Sequence, residues 1–212
     1  MNKNYWDEKY WEKHLREDDL ENVEELWVKK YEHIINADIH RNVLDLGCGI
    51  GQYTRYFLNR GHHVTSSDIS KKALEYLKNN IPTVRIVQQD MSEPLKFEDN
   101  EFDIVFANLS IHFFSKEETE ALISEIKRIL KPGGLFIGSV NSTSAYEYIK
   151  DHIIEIEENF YDSNGRSVRL WDEKQFEYFF KELEKIVLNE VIEKRWDKQK
   201  NMWEFIYKNN KK

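Results

Sequence analysis

The chain has 212 residues, of which 40% are hydrophobic and 33% are charged, with only 8 glycines and 3 prolines. This length and composition fit one globular domain with a full core. The 31 basic and 39 acidic residues give a net charge of −8, which argues against general affinity for nucleic acid or an anionic membrane, because binding to phosphates requires a basic surface.

The single cysteine and the lack of long apolar runs bear on location. Cys48 cannot form an internal disulfide, so a reducing compartment is expected, and a small side chain packed beneath a turn is favoured over a nucleophilic thiol. No apolar run is long enough to span a bilayer, and the N-terminus has no apolar signal segment. His62 and His63 point to opposite faces of a strand, so they are poor joint metal ligands. We predict a cytoplasmic protein with neither membrane nor metal contact.

The N-terminal segment, residues 4–38, is charged and aromatic and predicts one or two amphipathic helices broken near residues 17–19. Its aromatic residues have two interpretations. They pack against the core, which is the default for aromatics on a helix, or they cap a ligand site. The residues concerned are Tyr5, Trp6, Tyr10 and Trp11.

From residue 43 onwards, strand and helix patterns alternate. Strands are predicted at 43–45, 62–67, 84–87, 102–107 and 135–140, and helices at 52–59, 71–79 and 116–130. Gly61 is expected to close the first helix and Ser70 to cap the second, while Ser115 and Glu118 form a capping box for the third. Residues 131–134 are read as a turn. This alternation predicts a doubly wound α/β fold, a parallel sheet with helices on both faces.

The remainder of the chain departs from this alternation. Residues 141–170 are polar and rich in tyrosine, which is typical of a lid or binding insertion. Asp172 is expected to cap a helix over residues 173–183, and residues 186–196 and 202–207 predict a hairpin. One domain is therefore expected, with an N-terminal cap (1–40), a core (41–140), an insertion (141–171) and a C-terminal helix and hairpin (172–212).

Three acids and a glycine-rich turn point to a nucleotide-like ligand. Asp45, Asp68 and Asp90 each fall at or near the end of a successive strand, and parallel sheets bind ligands at that edge. An acid after the second strand suits the two hydroxyls of a ribose. A dinucleotide fingerprint requires a third glycine where this chain has Gln52. The acid at position 45 also suits a cationic ligand rather than a pyrophosphate.

These pieces together resemble a known family. The run LDLGCGIG resembles motif I of the class I S-adenosylmethionine-dependent methyltransferases, and SSDIS, QQDM, FDIVFANLSIHFF and LKPGGLFIGSV match later motifs in order and spacing. The resemblance covers about residues 41–140. It implies a seven-stranded, Rossmann-like sheet whose last strand inserts antiparallel. The implied cofactor is S-adenosylmethionine, and the product is S-adenosylhomocysteine.

The resemblance also implies a role for individual residues. The implied cofactor-binding set is Asp45, Gly47, Gly49, Asp68, Ile69, Asp90, Met91, Asn108 and Leu109. The glycines let the methionine moiety approach the backbone, and the three acids meet the ammonium (through water), the ribose hydroxyls and the adenine amino group in turn. Ile69 packs on the adenine and Met91 donates its backbone amide to the ring. Asn108 and Leu109 border the sulfonium.

The acceptor side carries weaker signals. A base is needed only for an acceptor that is protonated near neutral pH. His112 is the nearby candidate, and a helix-entry residue packed among Phe113 and Phe114 is an equal alternative. Four insertion residues either reach an acceptor or are structural or solvated, the latter being the default: Tyr146, Tyr148, Arg166 and Arg169.

Two further features bear on the acceptor class. Asn108-Leu109-Ser110-Ile111 differs from the Asn/Asp-Pro-Pro-Tyr/Phe motif of enzymes that methylate DNA adenine or protein glutamine. The opening YWDEKYW is loosely similar to the thiopurine and tellurite methyltransferases. We predict an enzyme that methylates a small molecule. The alternatives are a nicotinamide-dependent oxidoreductase and a non-catalytic S-adenosylmethionine-binding protein.

Overall fold

The computed structural model describes residues 5–10, 26–35, 41–148, 153–163, 165–195 and 198–211. At the N-terminal end it contains one turn of π-helix, Tyr5–Tyr10, then a 3-10 helix, Trp27–Tyr31, and the short helix α1, Glu32–Ile35. Trp11 and the break expected near residues 17–19 lie outside the described residues. Within the described ranges, no helix is long and apolar enough to cross a membrane.

Ten strands and four longer helices make up the rest. The strands are β1 Asn42–Leu46, β2 His63–Asp68, β3 Arg85–Gln88, β4 Phe102–Asn108, β5 Leu130–Asn141, β6 Ile153–Glu157, β7 Phe160–Ser163, β8 Arg166–Arg169, β9 Leu183–Arg195 and β10 Lys198–Asn209. The helices are α2 Gln52–Asn59, α3 Lys71–Asn80, α4 Lys116–Ile129 and α5 Glu173–Phe179, with a 3-10 helix at Thr143–Tyr148.

The main sheet has seven strands in the order β3-β2-β1-β4-β5-β10-β9. The first five pair in parallel, whereas β10 pairs antiparallel with both β5 and β9. This confirms the predicted doubly wound sheet with an antiparallel C-terminal hairpin. Because β1 to β4 run in parallel, their carboxyl ends meet at one edge, where the predicted acids follow.

The central strands are apolar throughout because both faces of the sheet are covered. Neighbouring residues of β4 belong to opposite cores: Val105 packs with α4 and α5, while Ile104 and Phe106 pack with α2 and the segment around Tyr31. Side chains alternate along a strand, so a strand covered on both faces must be apolar at every position.

Local signals placed most element boundaries correctly. Gln52–Asn59 matches its prediction, Gly61 follows it at φ 80°, and the caps at Ser70 and Ser115 form as expected. The helix after Asp172 ends at Phe179 rather than residue 183, because Leu183 begins β9. Residues 131–134, expected as a turn, lie within β5, where the pairing register with β4 shifts.

The insertion folds as a small sheet of its own, in the order β6-β7-β8. Arg169 fixes this sheet to the core. Its side chain is 2% exposed, pairs with Glu157 and donates to the carbonyl oxygens of Phe114 and Glu158. Arg169 is therefore structural, the default of its two interpretations. The side chain of Tyr148 is outside the described part of the chain.

Arg169→Met is expected to lower the free energy of unfolding by about 1–2 kcal/mol, because the buried carbonyl acceptors lose their donor. The matched control is Arg85→Met. Arg85 forms an ion pair with Glu101 but its side chain is 57% exposed, so the expected change is below about 1 kcal/mol. Urea unfolding of both variants measures the difference. Equal losses would contradict the structural role of Arg169.

Candidate functional site

The glycine turn between β1 and α2 is held by left-handed backbone. Gly47, Gly49 and Gly51 have φ of 79°, 54° and 91°, angles that residues with a Cβ rarely adopt. The Gly47 and Cys48 amides both donate to the Ser67 carbonyl, at 2.7 and 2.9 Å. A Cβ on Gly47 would lie 2.4 Å from the Ser110 Cβ. The turn therefore fits closely between β2 and the loop after β4.

Asp45 lies beneath this turn and is 2% exposed. The Thr54 hydroxyl donates to its Oδ2 at 2.7 Å, so Ser66, 2.7 Å from the same hydroxyl, acts as donor to Thr54. Burial raises the pKa of the Asp45 carboxyl to about 7, the Thr54 hydrogen bond opposes this shift and the Asp68 charge adds to it. Asp45 is thus an acid whose charge a nearby cation would stabilise.

Asp68 closes the other side of the turn. Its Oδ2 accepts from the Gly49 amide and its Oδ1 from the Ser70 amide, each at 2.9 Å. Burial raises the pKa of this carboxyl too, against these hydrogen bonds. Each oxygen keeps acceptor capacity for one more donor. Cys48 is buried, and burial raises the pKa of its thiol well above the usual value, which supports the packing interpretation.

The predicted adenine-side residues continue along the same edge. The Gln89 amide donates to the Asp68 carbonyl at 3.0 Å and so joins the end of β3 to that of β2. Asp90 Oδ1 accepts from the amide and hydroxyl of Ser92. The Met91 side chain lies beside the glycine turn, with Cε 3.2 Å from the position of a Gly47 Cβ. Ile69 is buried next to Asp68.

The end of β4 is tied to neighbouring elements. The Asn108 Oδ1 accepts from Trp27 Nε1 at 2.9 Å and from the Ser139 hydroxyl at 2.7 Å. Leu109 has φ 50°, left-handed backbone that is unusual for a branched side chain. Ser110 donates to the Leu46 carbonyl at 2.7 Å. Ser110, which directly follows Asn108 and Leu109 in the chain, therefore contacts the turn. Trp27 is a partner of Asn108 that the sequence does not predict.

His112 follows on the same loop and is 4% exposed. Its carbonyl accepts from the Arg169 amide at 2.7 Å, and its Nδ1 has no hydrogen-bond partner in the described ranges. Burial lowers the pKa of the imidazole well below its usual value, and the charges of Lys200 and Arg166 add to the shift. His112 is accordingly neutral at physiological pH.

The N-terminal turn Tyr5–Tyr10 contacts two parts of this edge. Asp7 Oδ1 accepts from the Ser70 hydroxyl and the Lys72 amide, beside Asp68. The Trp6 ring meets the Phe113 ring edge to face, with centroids 5.0 Å apart. Core packing is the favoured prediction for these aromatics, with a ligand-site cap as the alternative. Tyr5 and Trp6 are half-buried at this edge, and the side chain of Tyr10 is outside the described part of the chain.

A cavity of about 180 Å³ lies behind this segment. Its lining includes the aromatic residues Tyr5, Trp6, Phe113 and Phe160, and the charged residues Glu118 and Arg166. The cavity is therefore lined by the N-terminal segment, the loop after β4, the start of α4 and the insertion. Tyr146 is outside this lining, 40% exposed and in contact with the Tyr161 ring.

Comparison with known proteins identifies the core. Residues 44–138 match the family described as methyltransferase domain. Over 96 residues, 45% of this chain and 45% of the relative, the sequence is 41% identical to an uncharacterized methyltransferase of Synechocystis sp.. Residues 44–138 therefore correspond to a methyltransferase domain. The matches cover less than half the length of the curated relatives.

Solved structures with the methyltransferase fold resemble most of the chain. A methyltransferase from Methanosarcina mazei has a TM-score of 0.72 at 19% identity, covering 84% of this chain and 97% of that one. The Burkholderia thailandensis 1,6-didemethyltoxoflavin-N1-methyltransferase, solved with 1,6-didemethyltoxoflavin and S-adenosylhomocysteine bound, has a TM-score of 0.67 at 19% identity, covering 90% and 77%. At these identities the likeness extends to the fold of the methyltransferase domain.

Proposed function

We propose that this protein transfers a methyl group from S-adenosylmethionine to a small-molecule acceptor. The cofactor supplies a methyl group on a sulfonium: an acceptor lone pair bonds the carbon, the carbon–sulfur electrons return to sulfur as S-adenosylhomocysteine forms, and any proton on the acceptor atom leaves to a base or solvent. The protein's part is to align the acceptor and exclude water.

The donor set at the sheet edge fits this cofactor. Asp45 and Asp68 are buried acids with raised pKa values, and a cationic ammonium nearby favours their charged form. Asp68 retains acceptor capacity on both oxygens for two ribose hydroxyls. We assign Asp90 and the Met91 amide to the adenine, with Ile69 against its ring, and Gly47, Gly49, Asn108 and Leu109 to the methionine and sulfonium.

The observation that carries the small-molecule acceptor is the cavity lined by Trp6, Phe113 and Arg166. Phe113 lies four positions after Leu109, on the loop that leaves β4 beside the glycine turn. A cavity of about 150 Å³ accommodates benzene in another protein, so about 180 Å³ has room for one ring with a substituent. The relative from Burkholderia, bound to 1,6-didemethyltoxoflavin, adds support.

We assign His112 the role of a neutral hydrogen-bond partner for the acceptor. Its Nδ1 lacks a partner within the described residues, and a buried polar atom without one favours a ligand or water that supplies it. The lowered pKa makes the imidazole a weak base. His112→Phe should therefore reduce methyl transfer without altering the affinity for S-adenosylhomocysteine.

The oxidoreductase alternative is less well supported. A pyrophosphate beside the turn would meet two acids, Asp45 and Asp68, and α2 begins with Gln52 rather than with the glycine of a dinucleotide fingerprint. An NADH fluorescence titration tests it directly. A saturable signal would revive that alternative.

The test of the proposed function has two stages. Calorimetry with S-adenosylhomocysteine measures cofactor binding first. The protein is then incubated with a methyl-labelled cofactor and a cell extract divided by a size filter, with Asp68→Ala as control. Label in the low-mass fraction supports the proposal, and label confined to macromolecules contradicts it. Binding without label in either fraction supports a non-catalytic binding protein.

Cofactor affinity is expected to depend on pH through Asp45. Its pKa is about 7 in the ligand-free protein, and a bound ammonium should lower it, so binding releases a proton. Affinity for S-adenosylhomocysteine should rise by up to about tenfold per pH unit below about pH 7 and then level off. Calorimetry in buffers of different ionisation enthalpy measures the number of protons released on binding.

Two variants sharpen this prediction. Thr54→Val removes the donor to Asp45, so the pKa should rise further and the levelling point should shift to higher pH. Asp45→Asn should abolish the proton release. In the ligand-free protein the stability due to Asp45 is present below its unfolded pKa and falls as the pH rises through about 7. A pH-independent affinity would remove Asp45 from the site.

A further inference from the structure

Among the described residues, Arg166 is a cation without an anionic partner. Its side chain is half-buried, and within the described residues no carboxylate lies at ion-pair distance from it. Arg169, on the same strand, is buried against Glu157 and two carbonyl oxygens. Of the two arginines of β8, Arg169 therefore stabilises the fold and Arg166 lines the cavity.

The surroundings of Arg166 are aromatic. Its guanidinium carbon lies 5.9 Å from the Tyr5 ring centroid and 5.7 Å from that of Phe113. Both distances are within the range of cation–π contacts. The rings hold the guanidinium without neutralising it, and leave its in-plane N–H groups for a planar anion.

Glu118, the acidic residue that lines the same cavity, forms a hydrogen bond within the capping box of α4. Glu118 Oε2 accepts from the Ser115 amide at 2.8 Å as the reciprocal half of the α4 capping box. Its charge therefore stabilises the first turn of α4. Within the described residues Glu118 forms no ion pair with Arg166, although both line the cavity.

A second cation strengthens the positive character of this region. Both Lys200 and Arg166 disfavour protonation of His112 by their charge. His112 adjoins Phe113, with ring centroids 4.1 Å apart. In a chain with a net charge of −8, a guanidinium in the lining of this cavity favours recognition of an anion.

On these grounds, and resting on the proposed function, we propose that the methyl acceptor is a flat, single-ring carboxylate whose anionic group binds Arg166 and whose ring lies among Tyr5, Trp6, Phe113 and Phe160. A carboxylate paired with a guanidinium is a weakened nucleophile, because its lone pairs are held in hydrogen bonds. The carboxylate is therefore the anchor, and another atom of the molecule accepts the methyl group.

The test compares acids with their neutral isosteres. Benzoate, 4-hydroxybenzoate and nicotinate are titrated by calorimetry into the protein saturated with S-adenosylhomocysteine, alongside benzamide, 4-hydroxybenzamide and nicotinamide. At least one acid should bind about tenfold or more tightly than its amide, because a charge-assisted bidentate contact is lost in the amide. Equal binding of acids and amides, or no acid binding, overturns the proposal.

Two variants locate the effect. Arg166→Gln should remove the preference for acids while leaving the affinity for S-adenosylhomocysteine within about twofold, and Arg166→Lys should retain part of the preference. Arg85→Gln is the control, since Arg85 is at the start of β3 and paired with Glu101, and it should change neither quantity. A preference that survives Arg166→Gln overturns the proposal even if acids bind.

The outcome is separable from that of the proposed function. Cofactor binding is measured by itself, and acid binding is repeated without S-adenosylhomocysteine. Failure to bind the cofactor contradicts the methyltransferase proposal whatever the acids do. Cofactor binding together with methyl transfer to neutral or cationic molecules alone contradicts only the anionic acceptor.

Discussion

Asp68→Ala is expected to weaken the binding of S-adenosylhomocysteine by about 1–3 kcal/mol, or about 5- to 150-fold. The carboxylate accepts from the Gly49 and Ser70 amides and has one further acceptor site on each oxygen. Its removal eliminates the proposed ribose contact and releases the glycine turn at the same time. Calorimetry measures the affinity, under conditions in which the wild type and the variant are folded to the same extent.

Two variants separate charge from position. Asp68→Asn keeps the shape and one acceptor oxygen, so its loss should fall between those of wild type and Asp68→Ala. Asp103→Ala removes an acid that pairs with Lys131 at the opposite, amino-terminal end of β4, and should leave the affinity unchanged. An unaltered affinity in Asp68→Ala would exclude Asp68 from binding the ribose.

Gly47→Ala is expected to lower the free energy of unfolding by about 2–5 kcal/mol. Left-handed backbone costs an alanine about 1–2 kcal/mol, and the overlap with Ser110, whose Cβ would lie 2.4 Å away, adds about 1–3 kcal/mol. Urea denaturation measures the total. Cofactor binding should be lost together with stability, because the same turn forms the cradle.

Gly165→Ala is the matched control for Gly47→Ala. Gly165 has the same φ of 79°, but a Cβ there would meet nothing within 4 Å, so only the backbone cost of about 1–2 kcal/mol is expected. The difference between the two variants isolates the overlap. Adding Ser110→Gly to Gly47→Ala should restore part of the stability that the overlap removes. Equal losses at the two glycines would mean that Ser110 moves aside freely.

The fold was predictable because its signals are local and repeated. The capping box at Ser115 and Glu118 spans four positions, and the glycine turn leads directly into α2. Such signals do not depend on the rest of the molecule. The predicted helix after Asp172 is longer than the observed one, because residues 180–183 suit either a helix or a strand and the pairing of Leu183 with β10 favours the strand.

Contacts between distant residues explain most of what the sequence did not reveal about the site. The donor to Asn108 is Trp27, 81 positions earlier, and no local pattern links them. Arg166 and Arg169 are the same residue type three positions apart, yet of the two only Arg169 pairs with a carboxylate of the described residues. The packing of β8 against the loop after β4 determines which of the two arginines forms structural contacts. This packing depends on tertiary structure, so no local sequence pattern predicts it.

The turn Tyr5–Tyr10 forms a boundary common to both proposed ligand sites, through Asp7 at Ser70 and through Trp6 at Phe113. A segment shared in this way links the two binding equilibria. Whatever factor cofactor binding contributes to acceptor affinity, acceptor binding must contribute the same factor to cofactor affinity. The ligand that arrives second meets a segment whose conformational entropy is already reduced. Ordering of this turn by either ligand would therefore favour binding of the other.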